Sequence, residues 1–480
     1  MSKKTRSGTN SVSPFMERYL AGTTATNSAA TANKKGRQGT SADASWTRRR
    51  VAAVETIALG GQVLTPDGTI RGWLTIEGGL ITGISTRKPT GAKVLQTDGV
   101  IVPGLIDLHG HPEFNVFAPW EPPNTYVNRY AWRGSDQYHA LIREPQDKLA
   151  KALPSGTQLR YAEIRALVGG VTAIQGAGRL AGAATEPLVR NVDGIIFGRR
   201  RAGAVIDLPE SLTSRGGPGL KANLEDIANG AVDALYIHLA EGQRTNQRSI
   251  DEFDQLMKLG ALTPATVIIH GSALTRNQLG QAADAKAKLV WSPQSNLRLY
   301  GETTRAGDAL DVGLPMALGA DWLPSGSTSL LAEMKVARQE LIDQGHPLKA
   351  EELVAMVTSG AAKIAGLGDK LGTLEIGRPA DLVVLARRDT DLFESVCSAI
   401  PNDVELVLIG GDLTYGRADW VQTLAEVPAD PNLEPVLAWG RPMLLDTSYQ
   451  GQPDKGLTPR LAQLRADLTS TYPPVGPIWA

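Results

Sequence analysis

Four groups of short apolar runs in this sequence end in a histidine or a carboxylate, and that arrangement restricts the fold more than any other feature. Val100-Ile101-Val102 meets Pro103-Gly104, and Leu105-Ile106 leads through Asp107 and Leu108 into His109-Gly110-His111. Ala234-Leu235-Tyr236-Ile237 ends at His238, Val267-Ile268-Ile269 ends at His270, and the run 315–320 stops at Asp321. Apolar runs of this length, bounded by turn residues, read as short buried strands. In a parallel barrel the C-terminal ends of the strands converge on one face, where active sites are built. Residues two apart in a strand share a side, so His109 and His111 aim at one point while Gly110 leaves the other side uncrowded. The chain holds only six histidines, and four of them fall at such ends; His139 and His346 do not. Neutral imidazole is the commonest metal ligand, so the pattern points to a metal site.

These stretches resemble the amidohydrolase superfamily of metal-dependent hydrolases. Pro103-Gly104-Leu105-Ile106-Asp107-Leu108-His109-Gly110-His111 is similar to its opening signature. Ile237-His238-Leu239-Ala240-Glu241-Gly242, Ile269-His270-Gly271-Ser272, Ser292-Pro293-Gln294-Ser295-Asn296 and Leu318-Gly319-Ala320-Asp321 follow in the family's order. Residues 371–385 are similar to its return strands. The likeness covers residues 53–420 and is nearest to the deaminase and triazine-hydrolase branch, where H-x-x-E follows the fifth strand. It implies an α/β fold, a (β/α)8 TIM barrel over residues 103–372. A small β-sandwich domain is then assembled from residues 51–102 and 373–425, on both sides of the barrel in sequence. Residues 426–480 form a C-terminal extension.

His109, His111, His238 and Asp321 offer three nitrogens and a carboxylate, a set suited to one divalent metal, Zn2+ first, with Fe2+ or Mn2+ compatible by ligand type. A second metal in this superfamily usually needs a carboxylated lysine at the fourth strand. The candidate strand ends in Asp207, and the nearest lysine, Lys221, sits in a Gly-Pro-rich stretch read as a loop. An open metal position lowers the pKa of bound water from about 15.7 to near 7. Glu241 leaves the same strand end as His238 and is the candidate proton carrier. The resemblance makes Asp321 ligand and base at once, and leans His270 toward contacting the polarised substrate, with a fifth-ligand role as the alternative. Trp291-Ser292 ahead of Pro293 departs from the usual form of that motif. Asn296 reads as a loop-shaping hydrogen bonder and Trp322 as an apolar neighbour of the site. The expected activity is that of a hydrolase acting on carbon–nitrogen bonds other than peptide bonds, with activated water attacking a heterocyclic or amidine-like small molecule in a deamination-type reaction. Hydrolysis of a linear or cyclic amide, peptide-derived or not, is the alternative. A catalytically silent barrel scaffold is a third reading, which the intact residue set opposes.

Composition limits the partners. A net charge of −1 argues against a general nucleic-acid binder. No apolar stretch reaches membrane-spanning length. The single cysteine, Cys397, excludes an internal disulfide and a cysteine-based zinc cluster, and fits a reducing cytoplasm. A small-molecule substrate is the expected partner, and a homo-oligomer is compatible. Residues 1–50 carry ten Lys or Arg against Glu17 and Asp43, with fifteen Ser or Thr. Such a segment cannot bury enough apolar surface to offset its ordering entropy, so a disordered basic tail is expected, with 14–20 as a docking patch. Arg48-Arg49-Arg50 faintly resembles a twin-arginine export signal, and the composition also suits a transit peptide; a solvated tail is the favoured reading.

Local signals predict strands over 55–59 and 62–65, separated by a turn at Gly60-Gly61, then 72–76 and 80–84, with distant partners in 373–386 and 404–409. Residues 112–156 read as a long irregular loop whose Trp120, Tyr126, Tyr130, Trp132 and Tyr138 either wall the substrate site or form a mini-core. Residues 194–197 and 204–208 are the candidates for the third and fourth barrel strands, and 350–365 reads as one amphipathic helix.

Overall fold

The computed structural model describes residues 56–154, 156–177, 187–424, 433–447 and 460–479. The basic leader, with the patch at 14–20, lies outside them. Strand β1 (Ile57–Thr65) pairs antiparallel with β2 (Gly68–Glu77), which pairs with β3 (Leu80–Ser85), and β4 (Lys93–Pro103) lies parallel to β1. β1 continues through Gly60-Gly61, where a turn was expected, in regular pairing with β2 and with a register shift against β4. The reason is close packing, since a Cβ on Gly60 would lie 2.9 Å from the Trp73 ring opposite.

Beyond Pro103 the chain changes to parallel strands. β5 (Leu105–Asp107), β6 (Val171–Ile174) and β7 (Arg190–Asn191) form one parallel sheet. β8 (Ile195–Ile196) and β9 (Arg199–Arg200) make a separate hairpin. A second parallel sheet contains β10 (Ala202–Val205), β11 (Ala234–Leu239), β12 (Thr266–His270), β13 (Lys288–Trp291) and β14 (Met316–Leu318), in that order. The third parallel strand is therefore Arg190–Asn191, and the apolar residues at 194–197 belong to the hairpin. Just past β14, a parallel bridge between Gly110 and Asp321 joins the two parallel sheets at one seam. Along these strands Ile106, Leu108, Ala234, Tyr236, Val267, Ile269, Val290 and Ala317 share one buried cluster, while the alternate residues Leu105, Leu235, Ile237, Ile268 and Leu289 pack into another. That is the period-2 signature of strands covered on both faces.

β15 (Leu382–Leu385), β16 (Val404–Ile409), β17 (Asp412–Arg417), β18 (Leu433–Ala438) and β19 (Arg441–Asp446) complete the antiparallel part. They join the N-terminal strands in one hydrogen-bonded sheet of order β18-β19-β17-β16-β15-β4-β1-β2-β3. The strands expected in a small β-sandwich domain are hydrogen-bonded as one continuous nine-stranded sheet whose two halves share a core, and the stretch beyond residue 425 supplies two of its strands. β15 lies against β4, so chain from both sides of the parallel region meets at the sheet's centre.

The stretch 112–156 is largely helical. It holds a 3-10 turn Pro112–Phe114, helices Arg129–Arg133 and Asp136–Tyr138, a π-helical turn His139–Arg143 and a helix Glu144–Ala152. Asn128 and Ser135 cap the two short helices with their side chains. The helix expected over 350–365 is broken into Ala350–Ala355 and Ser359–Ile364. Lys221 lies on the helix Gly217–Ala228, exposed beside Glu225, and not in a loop. Among the described residues no helix is long and apolar enough to cross a membrane.

Candidate active site

Four side chains, from the segment after β5 and from the ends of β11 and β14, meet at the seam. The Nε2 atoms of His109 and His238 are 3.2 Å apart, and those of His238 and His111 are 3.3 Å apart. Asp321 Oδ1 lies 3.4 Å from His109 Nε2 and 3.7 Å from His111 Nε2. Donor atoms on a tetrahedral shell of radius about 2.0–2.1 Å stand about 3.3–3.4 Å apart, so this spacing fits one divalent cation. His109 Nδ1 is 2.8 Å from Ser292 Oγ, which turns Nε2 toward the centre. Burial, followed by the neighbouring imidazoles, holds His109 and His238 well below the usual histidine range, and His111 is lowered to about 4. A neutral imidazole Nε2–H has one proton and so serves only one of its two neighbours well, whereas a shared cation meets the lone pairs of all three nitrogens. Burial also pushes the Asp321 carboxyl well up, the penalty that a cation beside it offsets.

The backbone is bent to bring these groups together. His270 and Asp321 both adopt left-handed φ values, +66° and +61°, which are uncommon for residues with a Cβ. Strict alternation would put His270 on the outer face with Ile268, and the left-handed turn brings its ring inward. Gly319 touches the His109 backbone so closely that a Cβ there would lie 2.6 Å from His109 N.

Glu241 and His270 stand beside the metal-ligand candidates. His270 Nε2 is 3.7 Å from Glu241 Oε2. His270 Nδ1 is 2.9 Å from Asn296 Oδ1, while the Asn296 amide nitrogen donates to Thr303 and Thr304. The amide is thereby oriented so that Nδ1–H of His270 donates and Nε2 faces the cavity. Asn296 is thus the orienting partner of His270, on the helix Pro293–Tyr300.

Above this floor opens a cavity of about 660 Å³, counting its mouth. Phe114, Trp132, Tyr138 and Trp322 wall one side, with the Trp132 and Trp322 centroids 5.4 Å apart. Trp120 is buried and packs with Tyr126 in a small core beneath, and Tyr130 bonds to Glu252, so the aromatics of this segment divide between wall and support. Arg129 and Arg133, absent from the expected set, also line the cavity. Arg133 forms a forked pair with Asp207, and Arg129 donates to the His238 carbonyl while meeting Glu252. Burial pushes Asp207 up, but the two guanidiniums outweigh it and hold the carboxyl below its usual range. Asp207 is therefore tied up in this ion-pair cluster. His139 does not line the cavity, and His346 pairs with Asp311 away from it.

A model of the amidohydrolase family matches residues 233–414. Over 326 residues the chain is 27% identical to a 5-methylthioadenosine/S-adenosylhomocysteine deaminase of Teredinibacter turnerae, covering 61% of this chain and 73% of the relative. Over 356 residues it is 23% identical to a 5'-deoxyadenosine deaminase of Methanosphaera stadtmanae, covering 66% and 82%. Among solved structures it resembles an E. coli guanine deaminase with a TM-score of 0.59 at 17% identity, covering 76% of this chain and all of that one. It also resembles an atrazine chlorohydrolase of Arthrobacter aurescens, complexed with zinc, with a TM-score of 0.56 at 16% identity, covering 86% and 99%.

Proposed function

We propose that this chain belongs to the amidohydrolase superfamily and deaminates a heterocyclic small molecule by metal-dependent hydrolysis of a carbon–nitrogen bond. The observation that carries the reading is the convergence of His109, His111, His238 and Asp321, with His270 at ligand spacing from His109 and Asp321, beside Glu241 on the floor of an aromatic-walled cavity. We read the eight parallel strands as a (β/α)8 barrel over residues 103–372, with the nine-stranded sheet as its small companion domain. The metal is one divalent ion, Zn2+ in first place. Held there, it supplies the Lewis acidity that makes water a nucleophile near neutral pH. Glu241 takes the proton of the attacking water and passes it to the leaving nitrogen, while Asp321 assists as base. His270, its Nδ1 fixed by Asn296, presents Nε2 to the reacting carbon's substituents. The wall of Trp132, Tyr138 and Trp322, whose rings are inclined to one another by 35° to 74°, offers ring faces and edges that suit a planar heterocycle better than a linear amide. A small-molecule substrate and a cytoplasmic setting complete the proposal.

The test is ammonia release from purine nucleosides, free purines and triazines, run beside a screen for new carboxylates from cyclic amides, with metal content measured on the same preparation. Ammonia release that stops on chelation and returns with zinc is expected, and Asp321→Ala should lose metal and turnover together. Carboxylate formation without ammonia would move the assignment to an amidase. An Asp321→Ala protein with full metal and wild-type turnover would sink the site.

A further inference from the structure

Glu241 is held by a one-way chain of hydrogen bonds that begins on the cavity wall. Trp132 Nε1 donates to the Tyr300 hydroxyl at 2.8 Å, and that hydroxyl donates to Glu241 Oε1 at 2.5 Å. An indole N–H can only donate, and a phenol has one proton. The Tyr300 oxygen therefore receives Trp132 and commits its proton to Glu241. Tyr300 is buried in the small core with Trp120 and Leu299, and it does not line the cavity. Burial and the adjoining carboxylate push its phenol well above the usual range, so it donates and is not itself the proton source. The other oxygen, Oε2, faces His270 Nε2.

We propose that Tyr300 is a positioning residue that reserves Glu241 Oε1 as a hydrogen-bond acceptor and so confines the transferred proton to Oε2, with Trp132 linking this arrangement to the ligand-facing wall. The inference rests on the reading of Glu241 as proton carrier. Trp132 sits on the helix Arg129–Arg133 and its ring meets Trp322, so a planar substrate pressed against that wall meets the far end of the same chain. Without the phenol hydroxyl, Glu241 loses its fixed rotamer and both oxygens compete for the proton. Turnover should suffer while substrate affinity holds, because Tyr300 touches no substrate.

The experiment is a double-mutant cycle of wild type, Tyr300→Phe, Glu241→Gln and the double variant, with steady-state kinetics, metal content and a thermal melt on each. Tyr300→Phe should lower kcat by about 10- to 100-fold, the size of one lost hydrogen bond to a charged group, with KM changed by less than about threefold. In the Glu241→Gln background the same change should cost less than about threefold, because the carboxylate it acts through is gone. Trp132→Phe, which keeps a ring but loses the N–H, should show a smaller kcat loss that vanishes in the same background, and it serves should Tyr300→Phe fail to fold. Equal losses in both backgrounds, or an unchanged kcat, overturn the positioning role and leave the proton carrier standing. Wild-type turnover in Glu241→Gln overturns the proton carrier itself, and the inference with it.

Discussion

At the scale of single residues, Glu241 stands apart from the groups that surround the candidate metal position. His109, His111, His238 and Asp321 crowd one point, whereas Glu241 is engaged by Tyr300 and stands beside His270. Glu241→Gln should therefore keep metal content and melting temperature while turnover falls by about 10²–10⁴-fold, the usual contribution of general acid–base catalysis. The amide is nearly isosteric and can still accept from Tyr300, but it cannot take the proton from water. Loss of metal along with activity would instead place Glu241 among the ligands. The six candidate residues could be read in the sequence because each lies at or just past the end of an apolar run, where position fixes location. Tyr300, Arg129 and Arg133 could not, and Trp132 only as one of five aromatics that either wall the site or form a mini-core. They reach the site through a helix or a loop, and no spacing along the chain shows which way their side chains turn.

At the scale of elements, strands with apolar runs were legible and the exceptions share a cause. β7 consists of Arg190–Asn191, and the buried Arg190 is paired with Asp381 far away in sequence, so no hydrophobic run marks the strand. The short helices in 112–156 are capped and packed by tertiary contacts that isolated propensity does not record. One of them, Arg129–Arg133, is anchored beneath the cavity by Arg129, which lies 3.1 Å from Glu252 and donates to the His238 carbonyl. Glu252 in turn accepts from Ala240 N and Tyr130, so one cluster fixes the wall helix to β11. Arg129→Met leaves the Glu252 carboxylate buried without its cation. Breaking a buried pair from one side costs about 3–5 kcal/mol; because Tyr130 and Ala240 still serve Glu252, the lower end is expected in a urea melt. A loss below about 1 kcal/mol, as for an exposed pair, would show that the wall helix is held by packing alone.

At the scale of the whole molecule, the parallel strands and the nine-stranded sheet are joined by a buried clamp. Arg190 on β7 reaches Asp381 through two hydrogen bonds, Nε to Oδ2 at 2.5 Å and Nη2 to Oδ1 at 2.8 Å, and both side chains are almost wholly buried. Asp381 also accepts from Gly410 N, and its carbonyl accepts from Gly104 N, where β4 passes into the parallel region. One residue thus touches the sheet, the junction and a parallel strand. Two buried charges repay their desolvation only as a pair, so removing one partner costs far more than removing both. Arg190→Met should destabilise the protein by about 3–5 kcal/mol, and Asp381→Leu added to it should recover much of that loss, since apolar replacement of a whole buried pair is often neutral. Metal content should stay unchanged in every folded variant, because neither residue is among the metal-ligand candidates. Hydrogen exchange locates the damage: if the clamp joins the two regions, protection falls first in β15 and β16, beside Asp381, and in β6, beside β7. Uniform loss across all strands, or a double variant no better than Arg190→Met, would mean that the two regions are held by their apolar faces and that the ion pair only fills the space between them.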